Sequence, residues 1–155
     1  MTKLLLKYCS LFFFLFFFQI TLGFQKKEPL KPKSIKVLTW NIQDLGGTKN
    51  DEEILFIAKI LKDYDLIALQ KIVAKDPAGA QAIAKIVNNL NRLGNKWDYS
   101  ISTPTKSPSS YISERYAYIW KTSKLSLKNK PYLDSTLEKV IEREPYIAKF
   151  EIRKN

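Results

Sequence analysis

Two segments of this chain end in a polar side chain where α/β proteins usually place their chemistry. Val37-Leu38-Thr39-Trp40-Asn41-Ile42 delivers Asn41, and Leu66-Ile67-Ala68-Leu69-Gln70-Lys71 delivers Lys71. Each reads as a buried β-strand, and ligands of open α/β sheets bind at the carboxyl ends of such strands. Asn41 can offer a neutral oxygen to a cation or an amide N–H to a phosphate; its ordinary alternative is a bond to a neighbouring loop. Lys71 suits an anion and opposes a metal. Further along, Arg143 carries a planar fork matched to a phosphate, or forms an ion pair with Glu142 or Glu144. The 155 residues include no histidine, so proton transfer near neutral pH would fall to a shifted carboxylate or lysine, and no pattern here points to one.

The elements that must position these residues can be read from periodicity. Residues 35–42 are β-rich, and Asp44-Leu45-Gly46-Gly47 reads as the turn that follows. Asn50 or Asp51 caps a helix with Glu52 and Glu53 in its first turn and an apolar stripe of Ile54, Ile57, Ile60, Leu61 and Tyr64. Asp65 opens a second strand whose run Leu66-Ile67-Ala68-Leu69 is apolar throughout, as in a strand buried on both faces, so the first two strands are expected to be parallel neighbours. Pro77 and Gly79 lead into a helix over residues 80–93, with Gly94 near its C-cap. Residues 97–102 form a third strand. Residues 103–110, polar and holding two prolines, form the least structured loop, and Tyr111 after it is placed to pack on a sugar or base or simply to sit at the surface. Residues 115–121 alternate Tyr116, Tyr118 and Trp120 with Ala117 and Ile119; residues 126–132 are expected as a hairpin partner, and residues 146–152 as the final strand.

Composition bounds the rest. Lys3 and Lys7 precede the Leu/Phe-rich run of residues 11–18, and Thr21-Leu22-Gly23 supplies small residues, so residues 1–24 read as a secretory signal or, if uncleaved, an N-terminal membrane anchor. Export implies a secreted or periplasmic protein, membrane-anchored in the second case. Residues 25–34 are a basic Pro/Lys linker, and residues 35–155 form the domain. Cys9 is the one cysteine, so this domain has no intramolecular disulfide and relies on packing. Net charge is +11, of which Lys3 and Lys7 are the only charges through Phe24, so the remainder carries +9. That suits polyanions such as phosphate backbones, anionic lipid headgroups or acidic glycans, or else serves solubility.

Four segments, taken in order, carry a family resemblance. They are Thr39-Trp40-Asn41-Ile42 with Leu45-Gly46, Tyr64-Asp65-Leu66-Ile67-Ala68-Leu69-Gln70, Ser113-Glu114-Arg115-Tyr116-Ala117-Tyr118-Ile119-Trp120, and Arg143-Glu144-Pro145 leading into Ala148-Lys149-Phe150. Together they resemble the N-terminal half of the endonuclease/exonuclease/phosphatase superfamily, in its deoxyribonuclease I-like branch. The resemblance implies half of a four-layer α/β sandwich, a mixed β-sheet with flanking helices. It also implies magnesium-dependent hydrolysis of a phosphodiester, with nucleic acid, DNA favoured, as substrate. By the same resemblance Asn41 serves metal and phosphate, position 71 the metal, Glu114 the orientation of a catalytic histidine, and Arg143 a phosphate oxygen.

Two departures cut against catalysis. The family's metal-binding glutamate falls at position 71, where this chain has Lys71, which reverses the sign of the site. The histidines and further acids that the family draws from its C-terminal half are absent, so the chain is expected to be truncated and inactive as written. Without a histidine to orient, Glu114 is expected to pair with Arg115. The alternative is a non-catalytic basic module that binds phosphate or nucleic acid through Lys71 and Arg143. One sheet without its mate would leave the inner apolar face around Ile35, Leu66 and Tyr116 uncovered. Marginal stability, self-association or dependence on a second polypeptide would follow.

Overall fold

The computed structural model describes residues 34–74, 77–106, 113–137 and 139–153, all within the compact unit of residues 34–155. The expected signal, linker and Tyr111 lie outside the described residues. A four-stranded mixed sheet of order β1-β2-β4-β3 is built from β1 (Val37–Leu45), β2 (Leu66–Val73), β3 (Trp97–Ile101) and β4 (Glu114–Lys121). β1 and β2 are parallel, as their apolar runs predict, while β4 pairs antiparallel with both β2 and β3. The fold is α/β, with a mixed sheet and two helices as in half of a deoxyribonuclease I-like fold.

Both helices pack on one face of the sheet. α1 (Asp51–Leu61) starts at a capping box: Asn50 accepts from the Glu53 amide while the Glu53 carboxylate accepts from the Asn50 amide, each at 2.9 Å. This satisfies two donors that a helix start leaves free. It buries Ile54, Ile57, Ala58 and Leu61, but Ile60 points outward, so the stripe is narrower than its sequence suggests. α2 (Ala78–Arg92) begins two residues earlier than its periodicity predicts. Gly79 permits this, because a Cβ there would lie 2.2 Å from the Val73 carbonyl oxygen. The helix is followed by Gly94 at φ +102, the left-handed conformation expected just past a C-terminus. Leu69 and Ile72 of β2, Ala117 and Ile119 of β4, and Ile83, Ile86 and Leu90 of α2 form the centre of the core.

The other sheet face is covered unevenly. Over β4, Tyr118 stacks on Tyr146 at 5.3 Å between ring centroids, and Phe150 meets Trp120 edge-on at 5.2 Å. Over β1 and β2 the cover thins: Val37 is 61% exposed, Thr39 and Asn41 are exposed, and Leu66 is half-buried. Ile35 and Tyr116 are also half-buried.

Three sequence expectations require correction. β1 continues through Asp44 and Leu45, which were expected in a turn, with an irregularity at Asp44, whose φ is +53. The hairpin expected over 126–132 is absent, since β5 (Leu125–Leu127) pairs with β8 (Phe150–Ile152), and β6 (Tyr132–Leu133) with β7 (Tyr146–Ile147). The alternation of residues 125–133 fits any antiparallel partner, and the partner is the distant C-terminal segment. For the same reason the single strand expected over 146–152 is split into β7 and β8.

Candidate functional site

A bulge at the end of β2 gathers the site. Register runs Leu69 opposite Ala117 and then Ile72 opposite Arg115, so Gln70 and Lys71 together face the single residue Tyr116. Lys71 sits at φ +62, a left-handed conformation uncommon for a residue with a Cβ. In a regular strand, positions 69 and 72 point to opposite faces. Here both Leu69 and Ile72 lie in the helix-side core. The extra residue therefore turns both Gln70 and Lys71 to the other face, where Glu114, Tyr116 and Tyr118 already stand. Bulges commonly re-aim a side chain in this way beside active sites. β1 is distorted at the same level, with its register shifting between Asn41 and Leu45 and Asp44 at φ +53.

Lys71 thus meets Glu114, with Nζ 3.5 Å from Oε2. From the other side Arg143 brings Nε to 3.7 Å from Oε1. Glu114 is 7% exposed, and among the described residues its Oε2 makes no hydrogen bond. The expected Glu114–Arg115 pair does not form. The two residues point to opposite faces of β4, and Arg115 Nη1 donates instead to the Ser102 carbonyl at 2.8 Å. Burial, reinforced by the Glu114 carboxylate, raises the pKa of the Tyr116 phenol well above its ordinary value. Asn41 stands one strand away on the same face, in register with Gln70. The structure therefore brings Lys71, Glu114 and Arg143 into one cluster and sets Asn41 on the adjoining strand.

Two residues not expected as site components hold this cluster in place. Thr105 is buried; its hydroxyl accepts from the Glu114 amide at 3.1 Å, and its own amide donates to the Glu114 carbonyl at 2.9 Å. Glu144, also buried, accepts from the Lys106 amide through both oxygens, at 3.2 and 2.9 Å. These bonds tie residues 103–106 to β4 and to the Arg143 segment, so the first part of the loop expected to be least structured is braced. Glu144 lay in a recognised segment beside Arg143. Thr105, in a polar stretch, carried no sequence signal.

Human deoxyribonuclease-1-like 2 is 26% identical over 119 residues, covering 76% of this chain and 38% of that protein. Deoxyribonuclease-1-like 1 of Cricetulus griseus is 24% identical over 120 residues, covering 76% and 38%, and that of Bos taurus 24% over 123, covering 78% and 38%. No family model matches. The chain is related to the deoxyribonuclease I-like proteins and spans 38% of the length of these relatives.

Proposed function

We propose that this chain is a segment of an exported deoxyribonuclease I-like domain whose metal position is occupied by the Lys71 ammonium, so that it does not carry out magnesium-dependent hydrolysis as it stands. The observation supporting this is the 3.5 Å approach of Lys71 to Glu114. Magnesium is anchored by one or two carboxylates and other oxygen donors in a tight octahedron. In this cluster the one carboxylate lies between two cations. Among the described residues no group of three or more His, Cys, Asp or Glu is placed to hold a metal. Two unit charges 4 Å apart interact by about 4 kcal/mol at an effective dielectric near 20, and a divalent ion beside Lys71 would face about twice that repulsion. The donor set does not fit the cation.

The test is relaxation of supercoiled DNA by the purified full chain with magnesium. We expect no cleavage above a blank; cleavage that Asn41→Ala abolishes would overturn the proposal. Export is tested separately by the intact mass of the protein recovered outside the cytoplasm, where loss of roughly 24 residues is expected.

A second reading is favoured by the same two cations. With Arg143 and the +9 charge beyond Phe24, Lys71 would hold a phosphodiester directly, as a non-catalytic nucleic-acid module. It predicts DNA binding in EDTA that weakens steeply with salt. Lys71→Glu should weaken that binding at fixed salt, and unchanged binding would rule this reading out.

A further inference from the structure

Basic residues gather at the pole of the sheet opposite the candidate site. β1 and β2 both start there, and the antiparallel pairing of β3 with β4 sets Trp97 opposite Lys121 at the same pole. Lys36 before β1, Asp65 before β2, Lys96 before β3 and the turn after β4 therefore meet at one end. The backbone ties them: the Lys36 carbonyl accepts from the Asp65 amide at 2.8 Å, the Asp65 carbonyl from the Lys121 amide at 3.0 Å, and the Lys96 carbonyl from the Thr122 amide at 2.9 Å. Both helices end here as well, α1 with Lys59 and Lys62 and α2 with Arg92. Lys36, Lys59, Lys62, Arg92, Lys96 and Lys124 are exposed, and the exposed acids among them are Asp63 and Asp98. At the site pole acids gather instead, with Asp51, Glu52 and Glu53 in the first turn of α1 and Glu114 and Glu144 in the cluster. Cations at a helix C-terminus suit its dipole, which accounts for Lys59, Lys62 and Arg92. It does not account for Lys36 and Lys96, which start strands and form no ion pair among the described residues. A further strand would join a sheet at its edge and a further layer at its face. These cations lie at neither, because each belongs to the end of a strand or helix.

We propose that this basic pole docks on an anionic lipid surface and holds the candidate site turned away from the membrane. Neighbouring strands lie about 4.8 Å apart, so the strand starts and the β4 turn present their cations side by side across one end of the sheet. That is the shape of a flat contact with many headgroups and not of a cleft closing on one ligand. Anionic headgroups attract such clusters over about a Debye length, roughly 8 Å at physiological salt. Sequence continuity favours lipid over nucleic acid as the polyanion. Ser34 and Ile35 lead into Lys36, and the sequence joined to them carries Lys26, Lys27, Lys31 and Lys33 after the Leu/Phe-rich residues 11–18. An apolar segment held in a membrane would bring this pole, and not the site, to the headgroups.

Docking is read by lysine acetylation of the full chain, followed by peptide mass spectrometry. One sample is reconstituted on vesicles of phosphatidylcholine and the other on the same lipid with roughly 30% phosphatidylglycerol. On the anionic vesicles Lys36, Lys62 and Lys96 should react about threefold more slowly or less. The difference should vanish in roughly 1 M salt, where the Debye length is about 3 Å. Lys49 and Lys71, at the site pole, should react alike on both vesicles. Equal rates at Lys36, Lys62 and Lys96 on the two vesicles would overturn the proposal, as would equal slowing of Lys49 and Lys71. So would slowing of the three lysines by a DNA duplex with none by the anionic vesicles. Lys36→Glu combined with Lys96→Glu reverses two exposed charges and keeps the backbone bonds of both residues. The slowing at Lys62 should then be lost. Its persistence in a variant with an unchanged circular dichroism melt would refute the docking surface, and the unsubstituted chain decides the matter if that variant does not fold.

Discussion

The two ends of the sheet each bury one carboxylate between two cations, with different geometry. At the end where β1 and β2 begin, Asp65 is 1% exposed and takes Lys124 Nζ at 2.9 Å, Lys121 Nζ at 3.1 Å and the Lys36 amide at 3.0 Å. At the other end, Glu114 has its cations at 3.5 and 3.7 Å, and one oxygen without a hydrogen bond among the described residues. Asp65 is a fastener: its acceptors are met by three donors from two separate segments, and its backbone bonds to Lys36 and Lys121. Glu114 is held through its main chain by Thr105 and its carboxylate meets the Tyr116 phenol, while among the described residues Oε2 has no hydrogen-bond partner. A complete network stabilises a fold, whereas an incomplete one leaves acceptor capacity at the end where function is expected.

The largest effect should come from breaking the fastener. Asp65→Ala leaves Lys121, which also lies over the Trp97 ring at 5.1 Å, with its charge unmatched in a mostly buried position. Removing one partner of such a pair costs about 3–5 kcal/mol. Urea denaturation should show that loss, and a change under 1 kcal/mol would mean the lysines re-pair with solvent at little cost.

Acid gives a graded version of the same test. Burial works to raise the Asp65 pKa, but the Lys36, Lys124 and Lys121 hydrogen bonds prevail and leave it lowered. A carboxyl whose folded pKa lies below its unfolded value stabilises the fold fully above the unfolded value of about 3.9. That contribution is lost as pH falls from there through the folded pKa. Denaturation curves between pH 6 and pH 2.5 should therefore show an acid limb that Asp65→Asn flattens. Equal limbs in both proteins would assign acid sensitivity elsewhere.

Glu114→Gln should do less. Its cation contacts are longer than hydrogen bonds, and Lys71, with 39% of its side chain exposed, can turn to water when released. We expect a loss of about 1 kcal/mol or less, near the worth of a solvent-accessible pair. The more sensitive readout is Tyr116, whose raised phenol pKa should fall toward its ordinary value once the carboxylate charge is gone. Ultraviolet titration follows it, and an unmoved Tyr116 would leave burial, with the Glu144 charge, as its cause.

How far the chain discloses itself differs between these ends in the same way. The identities of β1 to β4, the parallel pairing of β1 and β2, a helix cap at Asn50 or Asp51, and Gly94 were legible because each depends on a local pattern. Asp65 could be placed at the start of a strand, but its lysines come from 56 and 59 residues away. At the site, residue types pointed to Asn41 and Lys71 and the family resemblance to Glu114 and Arg143, whereas the bulge that turns Lys71 toward Glu114 was invisible. Lysine has no preference for the left-handed region, and a strand sequence with one extra residue looks like a strand one residue longer. The approach of Lys71 to Glu114 follows from that bulge, whereas Arg115 is kept away because neighbours along β4 point to opposite faces.

The smallest effect separates the shape of the bulge from its charge. A left-handed residue with a Cβ costs about 1–2 kcal/mol relative to its usual conformation, and glycine avoids this cost at the expense of greater freedom in the unfolded chain. Asparagine tolerates the conformation and carries no charge. Lys71→Asn and Lys71→Gly should both stay within about 1 kcal/mol of the parent, because relief of backbone strain offsets loss of the loose ion pair. Lys71→Val should cost about 1–3 kcal/mol, since a branched Cβ is poorly accommodated at φ +62. If valine proved as harmless as asparagine, β2 would be free to resume regular alternation. Lys71 would then be held toward Glu114 by its charge, and the open end of the sheet would owe its geometry to electrostatics and not to the backbone.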